Sequence, residues 1–392
     1  MDGWMGKMKV AIPPVLFKLQ SFQMNSETLK NINKIIERDN KTSTYKFALL
    51  RGVIDIIQSN SPYIKIEGDR AVLPMGLLIE NWILYYYPIL ANKIPQIYGR
   101  DTKLQFEDAF QSIIDHYENQ KNGGLSVLYN DLRNKGIQDV KSFTLLAKTL
   151  RRTIATMPMK YIGKSIYNEE YAIFKPNNDT LKTSHIYDTH SLIHYAGTFS
   201  IPLEYFEAFQ LLGSFISGQN TLLFKWAEFS YEASGRSIQK ETVFEQMAEY
   251  ATTNRNTTTP KRIFDDLLEK EKTIYCIWSG KKVSKFDLDH MLPFSVWKNN
   301  DLWNLLPADV KMNSQKSDKV PTPELIENRK EIIFDYWDLL KSQEEIRFQK
   351  EIEFSLTGAK PNNWKEAAIK QIQNNCEYLI EARGHTPWSP KT

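Results

Sequence analysis

FDLDHMLPFSVWKNNDLWNLLPADVKMNSQKSDKVP, running from Phe286 to Pro321, is the stretch on which the reading of this chain turns. Just before its charged pair, Val283 to Leu288 alternates apolar and polar side chains and predicts a short strand. Neighbouring residues of a strand point to opposite faces, so Asp289 and His290 can serve one site only where the strand ends. Pro293 predicts that ending, because it has no N–H for a ladder and turns Leu292 away from helix. A loop rich in Trp, Lys and Asn then leads to Asn304, and Asp309 to Gln315 can make about two helical turns that carry Asn313. The expected order is strand, loop, helix, with Asp289, His290, Asn304 and Asn313 brought together.

These residue types suit phosphodiester hydrolysis, which needs a base for water and a cation against the phosphate and the departing oxygen. Histidine, with an ordinary pKa of roughly 6.5, is largely neutral near pH 7 and can accept a proton. The Asp carboxylate and the Asn carbonyl are hard oxygen ligands, which favour Mg²⁺ or Mn²⁺ over a softer metal. Few protein ligands leave coordination positions open for phosphate oxygens and water.

The Asp289-His290 pair, thirteen residues to Asn304, eight more to Asn313, and the closing Lys316-Ser317-Asp318 and Val320-Pro321 resemble the ββα-metal HNH nuclease domain. The likeness extends to the HNH lobe of the CRISPR RNA-guided DNA endonucleases, which opens on D-x-D-H-x-x-P and ends on N-x-x-K-S-D at similar spacing. Upstream, Cys276-Ile277-Trp278-Ser279-Gly280 resembles the C-x-x-S-G turn that precedes the motif in such lobes. The resemblance implies Asp289 and Asn313 as ligands of Mg²⁺ or Mn²⁺, His290 as general base, and Asn304 as the residue that pins the loop. It also implies Lys316 near a substrate phosphate. It covers Ile274 to Pro321, in a chain much too short for an RNA-guided effector and without a second nuclease motif, so guide dependence is not implied. Many HNH proteins hold a structural zinc with two C-x-x-C knuckles. Here Ser279 stands in place of one Cys and the chain has only 2 Cys, so no structural zinc is expected.

Each residue alone has a plainer reading: the Asp-His pair as a surface turn, Asn304 as a turn residue, Asn313 as a helix-surface amide. Their joint order and spacing favour the nuclease. The alternatives are a nucleic-acid-binding or scaffold protein with an inactive HNH fold, and an RNase. A role in bacterial restriction or anti-phage defence, with a defence-system partner or activator, follows only by analogy.

The 392 residues, 42% hydrophobic and 25% charged, are ordinary for globular protein and long enough for two or three domains. A net charge of +3 does not by itself point to nucleic acid, so DNA contact is argued locally. Lys281, Lys282, Lys285, Lys298, Lys311, Lys316 and Lys319 surround the motif, and of these Lys282, Lys298, Lys311 and Lys316 are the candidates for phosphate contact. A second basic strip, Arg151, Arg152, Lys160 and Lys164, reads first as a solvated face. So few cysteines fit a reducing compartment. The opening MDGWMGKMKVAIPP lacks the apolar core of a signal peptide. Ala71 to Ala91, the most apolar region, is interrupted by Pro74, Glu80, Asn81 and Pro88, and so predicts a buried helix rather than a membrane span. A cytoplasmic protein with no membrane contact is expected.

The fold expected is α+β and mostly α: a helical N-terminal domain over 1–260, a small ββα-metal HNH core over 261–322, and C-terminal helices over 323–392 that pack on it. Asn40 to Thr44 offers caps for a helix whose Phe47, Leu50, Ile54 and Ile57 share a face. Tyr63 to Glu67 and Ala71 to Leu73 predict a hairpin around Gly68-Asp69. Helices are expected at 106–118, 125–134, 142–155, 203–215 and 221–232, and the polar run 251–260 marks a boundary. Pro323 opens a further helix, and another covers 363–382. His185, His190 and His194 beside Asp188 invite a second metal reading, but the segment reads first as aromatic and aliphatic packing, with no H-E-x-x-H pattern. The N-terminal region is a candidate for recognition, regulation or partner docking.

Overall fold

LLIENWILYYY has no polar side, and a helix of that kind is stable only when surrounded. The computed structural model describes residues 26–99, 102–120, 123–168, 171–177, 185–218, 221–248, 257–297 and 300–390, and in it this stretch is the central helix of the N-terminal part. That part begins with α1 (Ser26–Arg38) and α2 (Tyr45–Gln58), followed by the hairpin β1 (Lys65–Glu67) and β2 (Arg70–Pro74) and the central α3 (Met75–Ala91). Next come α4 (Glu107–Glu118), α5 (Leu125–Asn130), α6 (Val140–Thr156), α7 (Pro158–Tyr161), β3 (Lys175–Pro176) and α8 (Thr189–Ala196). It ends with β4 (Thr198–Pro202), α9 (Leu203–Gly218), α10 (Thr221–Ala233) and α11 (Lys240–Ala248).

The hairpin expected around Gly68-Asp69 forms, with Gly68 at φ 61, and β2 continues into an antiparallel sheet of order β1-β2-β4-β3. On α3, Trp82, Tyr86 and Tyr87 are almost wholly buried. Each such ring contributes roughly 1.5–3 kcal/mol of burial. Gly76 makes the α3–α8 crossing possible, because a Cβ there would lie 2.4 Å from the backbone of Leu192 and Ile193. Glu80, fully buried, is matched where that crossing brings Thr189 to 2.9 Å and the Arg133 guanidinium to 2.6 Å. Two expectations change. Thr44 does not cap α2 with its side chain but bonds the Tyr86 hydroxyl at 2.9 Å. The α2 helix buries far more than one face, because it lies among α3, α9 and α10.

After residue 257 a second set of elements begins: α12 (Thr258–Glu271), β5 (Ile274–Tyr275), β6 (Lys282–Val283), β7 (Asp287–His290), α13 (Phe294–Trp297), β8 (Leu305–Ala308), α14 (Val310–Lys316) and β9 (Val320–Pro321). The helices α15 (Pro323–Gln343), α16 (Glu345–Ile352) and α17 (Trp364–Glu377) and the strand β10 (Pro387–Trp388) follow. Thr322 caps α15 and Pro323 opens it. The protein is α+β and mostly α, as its apolar periodicities imply. Among the described residues the buried apolar ones fall into two clusters, one drawn from Ile32 to Met247 and the other from Ile263 to Trp388. In the second, α15 and α17 supply the apolar surface the small ββα unit lacks.

The other motifs resolve into structural roles. Asp188 caps α8 in a capping box with Ser191, His190 bonds Glu353 at 2.7 Å, and His194 stacks edge-on to Tyr195. Arg151 of the second basic strip donates to the carbonyls of Ala196 and Asn177. Among the described residues no helix is long and apolar enough to cross a membrane. The opening MDGWMGKMKVAIPP and most of the polar run at 251–260 lie outside the described residues.

Candidate active site

Two antiparallel hairpins build the site. In the first, β5 pairs with β6 (Ile274↔Val283); in the second, β7 pairs with β8, with Asp287 opposite Ala308, Asp289 opposite Leu306 and His290 opposite Leu305. The single strand expected from Val283 to Leu288 is thus two strands broken at Ser284 to Phe286, and the second runs on through His290. A second strand, β8, replaces part of the expected loop. Its Pro307 lacks an N–H, but its carbonyl accepts from Ile277 N at 2.9 Å and joins the two hairpins. After Pro293, one helical turn, α13, brings Phe294 to 5.2 Å from the His290 ring.

Strand alternation puts Asp287 and Asp289 on one face of β7 and His290 on the other. Asp309 caps α14 by accepting from Lys311 N and Met312 N, and α14 carries Asn313 to the strand, where its amide lies 3.4 Å from the Asp287 carboxylate. Asp287 therefore belongs to this cluster although its neighbours in sequence drew more notice; the D-x-D spacing is the signal that could have found it. Asp289 and His290 are 4% and 3% exposed, and Asn313 is half-buried.

Asn304 is wholly buried, and its side chain closes the loop that starts at His290. Its Oδ1 accepts from Leu292 N at 2.8 Å, its Nδ2 donates to Leu292 O at 3.1 Å, and its carbonyl accepts from Met291 N at 2.8 Å. An amide is the side chain that can satisfy one residue's N–H and C=O together. Losing it would orphan two buried backbone groups.

Lys316 departs from its expected place. It is fully buried, with its ammonium 3.2 Å from one Asp289 oxygen and 3.3 Å from the other, and it donates to His290 O at 2.7 Å. Trp278 Nε1 donates to the same carboxylate at 2.6 Å, and the ammonium lies 5.4 Å from the Trp278 ring. Lys316 is thus an internal counter-ion of Asp289 rather than a surface group. Ser317 at φ 51 ends α14 directly after it.

The donor types suit a hard divalent cation: the Asp287 carboxylate lies against the Asn313 amide, while the Asp289 carboxylate, on the same strand face, holds the Lys316 ammonium. Among the described residues no group of three or more His, Cys, Asp or Glu side chains forms a metal cluster, so any ion there would depend on the Asn amide and on water or substrate oxygens. Both cysteines are buried and free. Cys276 Sγ instead accepts from Asp309 N at 3.2 Å and from Ser279 N at 3.4 Å, and Gly280, at φ 70, closes this turn against the Arg329 guanidinium.

Of the basic candidates, Lys282 and Lys311 are exposed, and Lys282 lies 5.5 Å from the half-exposed Tyr275 ring. Lys298 lies outside the described residues. The C-terminal tail is the part of the site that sequence reasoning missed. Its β10 runs parallel to β9, and Trp388 meets Trp278 edge-on at 5.5 Å, directly behind Asp289.

Two family models match this chain. One, described as Domain of unknown function (DUF8808), matches residues 25–247, and the other, described as HNH endonuclease, matches residues 276–322. The second supports an endonuclease of the HNH kind, a class that acts on nucleic acid and generally uses divalent metals. No curated protein and no solved structure matches the chain.

Proposed function

We propose that this chain, which belongs to the family described as Domain of unknown function (DUF8808), is a metal-dependent endonuclease that hydrolyses DNA phosphodiester bonds with its HNH segment. The observation that supports the reading is Asn313 of α14 beside Asp287 of β7, with Asp289 and His290 ending that strand and Asn304 locking the loop that follows. His290 takes the proton of the attacking water, a contribution on the order of 10²- to 10⁴-fold in rate. Asp289 and Asn313 hold Mg²⁺ or Mn²⁺, with Asp287 beside Asn313 as a further oxygen donor. When bound, that ion supplies positive charge against the phosphate and the leaving oxygen. Lys282, Lys311 and Lys298 contact phosphates and carry no sequence information. The products are 5′-phosphate and 3′-hydroxyl ends, as in the family it resembles.

The N-terminal helical domain over 1–260 serves recognition or regulation, the core over 261–322 cuts, and the helices over 323–392 support the core. Resemblance to the CRISPR effector HNH lobe favours a cytoplasmic place in restriction or anti-phage defence, with an activator among its partners. A second reading, nucleic-acid binding without turnover, draws on the burial of His290 and the ammonium already seated on Asp289. Plasmid nicking with Mg²⁺ or Mn²⁺, beside an EDTA control and the His290→Ala variant, separates the two. Cutting that needs both metal and His290 supports the nuclease, and a gel shift without cutting supports the binder. An RNA substrate run in parallel tests the choice of DNA.

A further inference from the structure

The loop that leads from His290 to Asn304 is held at its far end by a helix remote in sequence. Leu302 N donates to Glu351 Oε2 at 2.6 Å, Ser355 Oγ donates to Asp301 Oδ2 at 2.7 Å, and Arg347 Nη2 donates to Asn300 O at 3.2 Å. Arg347, Glu351 and Ser355 are spaced four apart and so form one stripe of α16 and the π turn Glu353–Thr357 that extends it. Arg347 also donates to Glu351 at 2.7 Å, which ties the stripe together.

The neighbouring face of the same segment grips the N-terminal part. Lys350 pairs with Asp188 at 3.3 Å, Glu353 bonds His190 at 2.7 Å, and the Arg133 guanidinium lies 3.8 Å from the Phe354 ring centre. His190 is exposed, but the other two contacts are with anchored groups. Asp188 is the buried cap of α8, and Arg133 is fixed by its fork on buried Glu80. The π turn has one residue more per hydrogen-bonded ring than an α-helix, a feature frequent at functional sites. It ends at Gly358, at φ 67, where a Cβ would lie 3.1 Å from Pro62 O.

We infer that the segment Glu345–Thr357 is a two-faced clamp: Arg347, Glu351 and Ser355 position the nuclease loop, while Lys350, Glu353 and Phe354 fix that position by docking on the N-terminal domain. The path is short and continuous. It runs from α8 and Arg133 through the clamp to Asn300–Leu302, then through Asn304 to Leu292, two residues from His290. Glu351 is a positioning residue, acting through Leu302 rather than on substrate. Burial, with Asp301 close by, pushes its carboxyl up to about 8, and burial raises Asp301 as well, so the loop is held near neutral pH without two buried charges facing each other. The N-terminal domain is thereby coupled to the loop through this segment, beside the direct attraction between the Arg133 guanidinium and Asp301.

The kinetic consequence rests on the nuclease reading, whereas the coupling does not. In the full chain, Phe354→Ala and Lys350→Ala remove contacts made only to the N-terminal part. Amide hydrogen exchange should accelerate about tenfold or more at Leu302 and Leu292, while Val320, bonded to Thr386 in the same core, stays within about twofold. Phe354→Leu, which keeps an apolar contact, should return most of the protection. Unchanged exchange at Leu302 and Leu292 in both variants overturns the clamp, as does acceleration at Val320 by the same factor, which would be global loosening. In plasmid nicking the two alanine variants should lower kcat with KM for DNA held, and an unchanged kcat beside lost protection overturns the positioning role. A wild type that nicks nothing overturns the nuclease reading alone, and the exchange rates still decide the clamp.

Discussion

Replacing Lys316 by Met keeps the length and most of the apolar stem of the side chain but removes the cation from Asp289. Both partners are enclosed, with side-chain exposures of 0% and 6%, so water cannot take the ammonium's place. Breaking a buried pair by removing one partner costs about 3–5 kcal/mol, because the other charge is left uncompensated. The Trp278 N–H still bonds that carboxylate, which favours the lower half of the range, and the lost bond to His290 O adds on the order of 1 kcal/mol. At about 3 °C per kcal/mol for a unit of this size, a loss of about 4–5 kcal/mol should lower the melting midpoint by roughly 12–15 °C. Calorimetry and guanidinium titration of Lys316→Met, Asp289→Asn and the double variant measure this directly. The double variant should be more stable than the sum of the single losses allows, with a coupling on the order of 1–3 kcal/mol, since it leaves no orphaned charge. Mn²⁺ should raise the midpoint of Lys316→Met more than that of the wild type, because Asp289 has lost its resident cation. Additive single losses, or a Lys316→Met protein within about 1 kcal/mol of the wild type, would falsify the counter-ion role.

Four other outcomes are expected. His290→Ala should abolish nicking while leaving Mn²⁺ binding by calorimetric titration largely intact, whereas Asp289→Ala should weaken both; equal cutting by His290→Ala and wild type would sink the mechanism. Asn304→Ala orphans the N–H and C=O of Leu292 and should cost on the order of 2–4 kcal/mol in denaturant unfolding, with Asn304→Asp recovering only part of it. The double change Lys282→Gln with Lys311→Gln should lower the slope of log K for DNA against log salt by about 2, and an unchanged slope would remove these lysines from the interface. Glu351 holds a proton in the folded state up to about 8 that the unfolded chain releases near its ordinary 4.5. Its contribution is therefore full below pH 4.5 and is lost as pH rises through about 8, so Glu351→Gln should flatten the fall in melting temperature over that window, and parallel curves would contradict it.

The sequence was most informative where chemistry depends on residue type and local spacing. The Asp289-His290 junction, the Asn304 lock and the α14 position of Asn313 all lie within one short stretch, and a helix or strand period fixes which of them share a face. The burial of α3 followed from apolar residues on every side, and the α15 start from Thr322 and Pro323. Less was legible where a strand is too short to show its period: β8 contains a proline and only four residues, and only its pairing with β7 reveals it.

What the sequence alone determined is thus the order and spacing of the candidate site residues and the mainly helical class of the protein. What only the tertiary structure decided is how those groups are paired. Nothing in an N-x-x-K-S-D pattern tells a surface lysine from one turned inward, and the choice was made when β7, α14 and the Trp278 turn closed around Asp289 and buried its charge. Likewise Glu351 and Ser355 lie far along the chain from Asp301 and Leu302, and Lys350 and Phe354 farther still from Asp188 and Arg133. Long-range contacts of this kind depend on where whole helices pack, a property of the summed apolar burial rather than of any local motif.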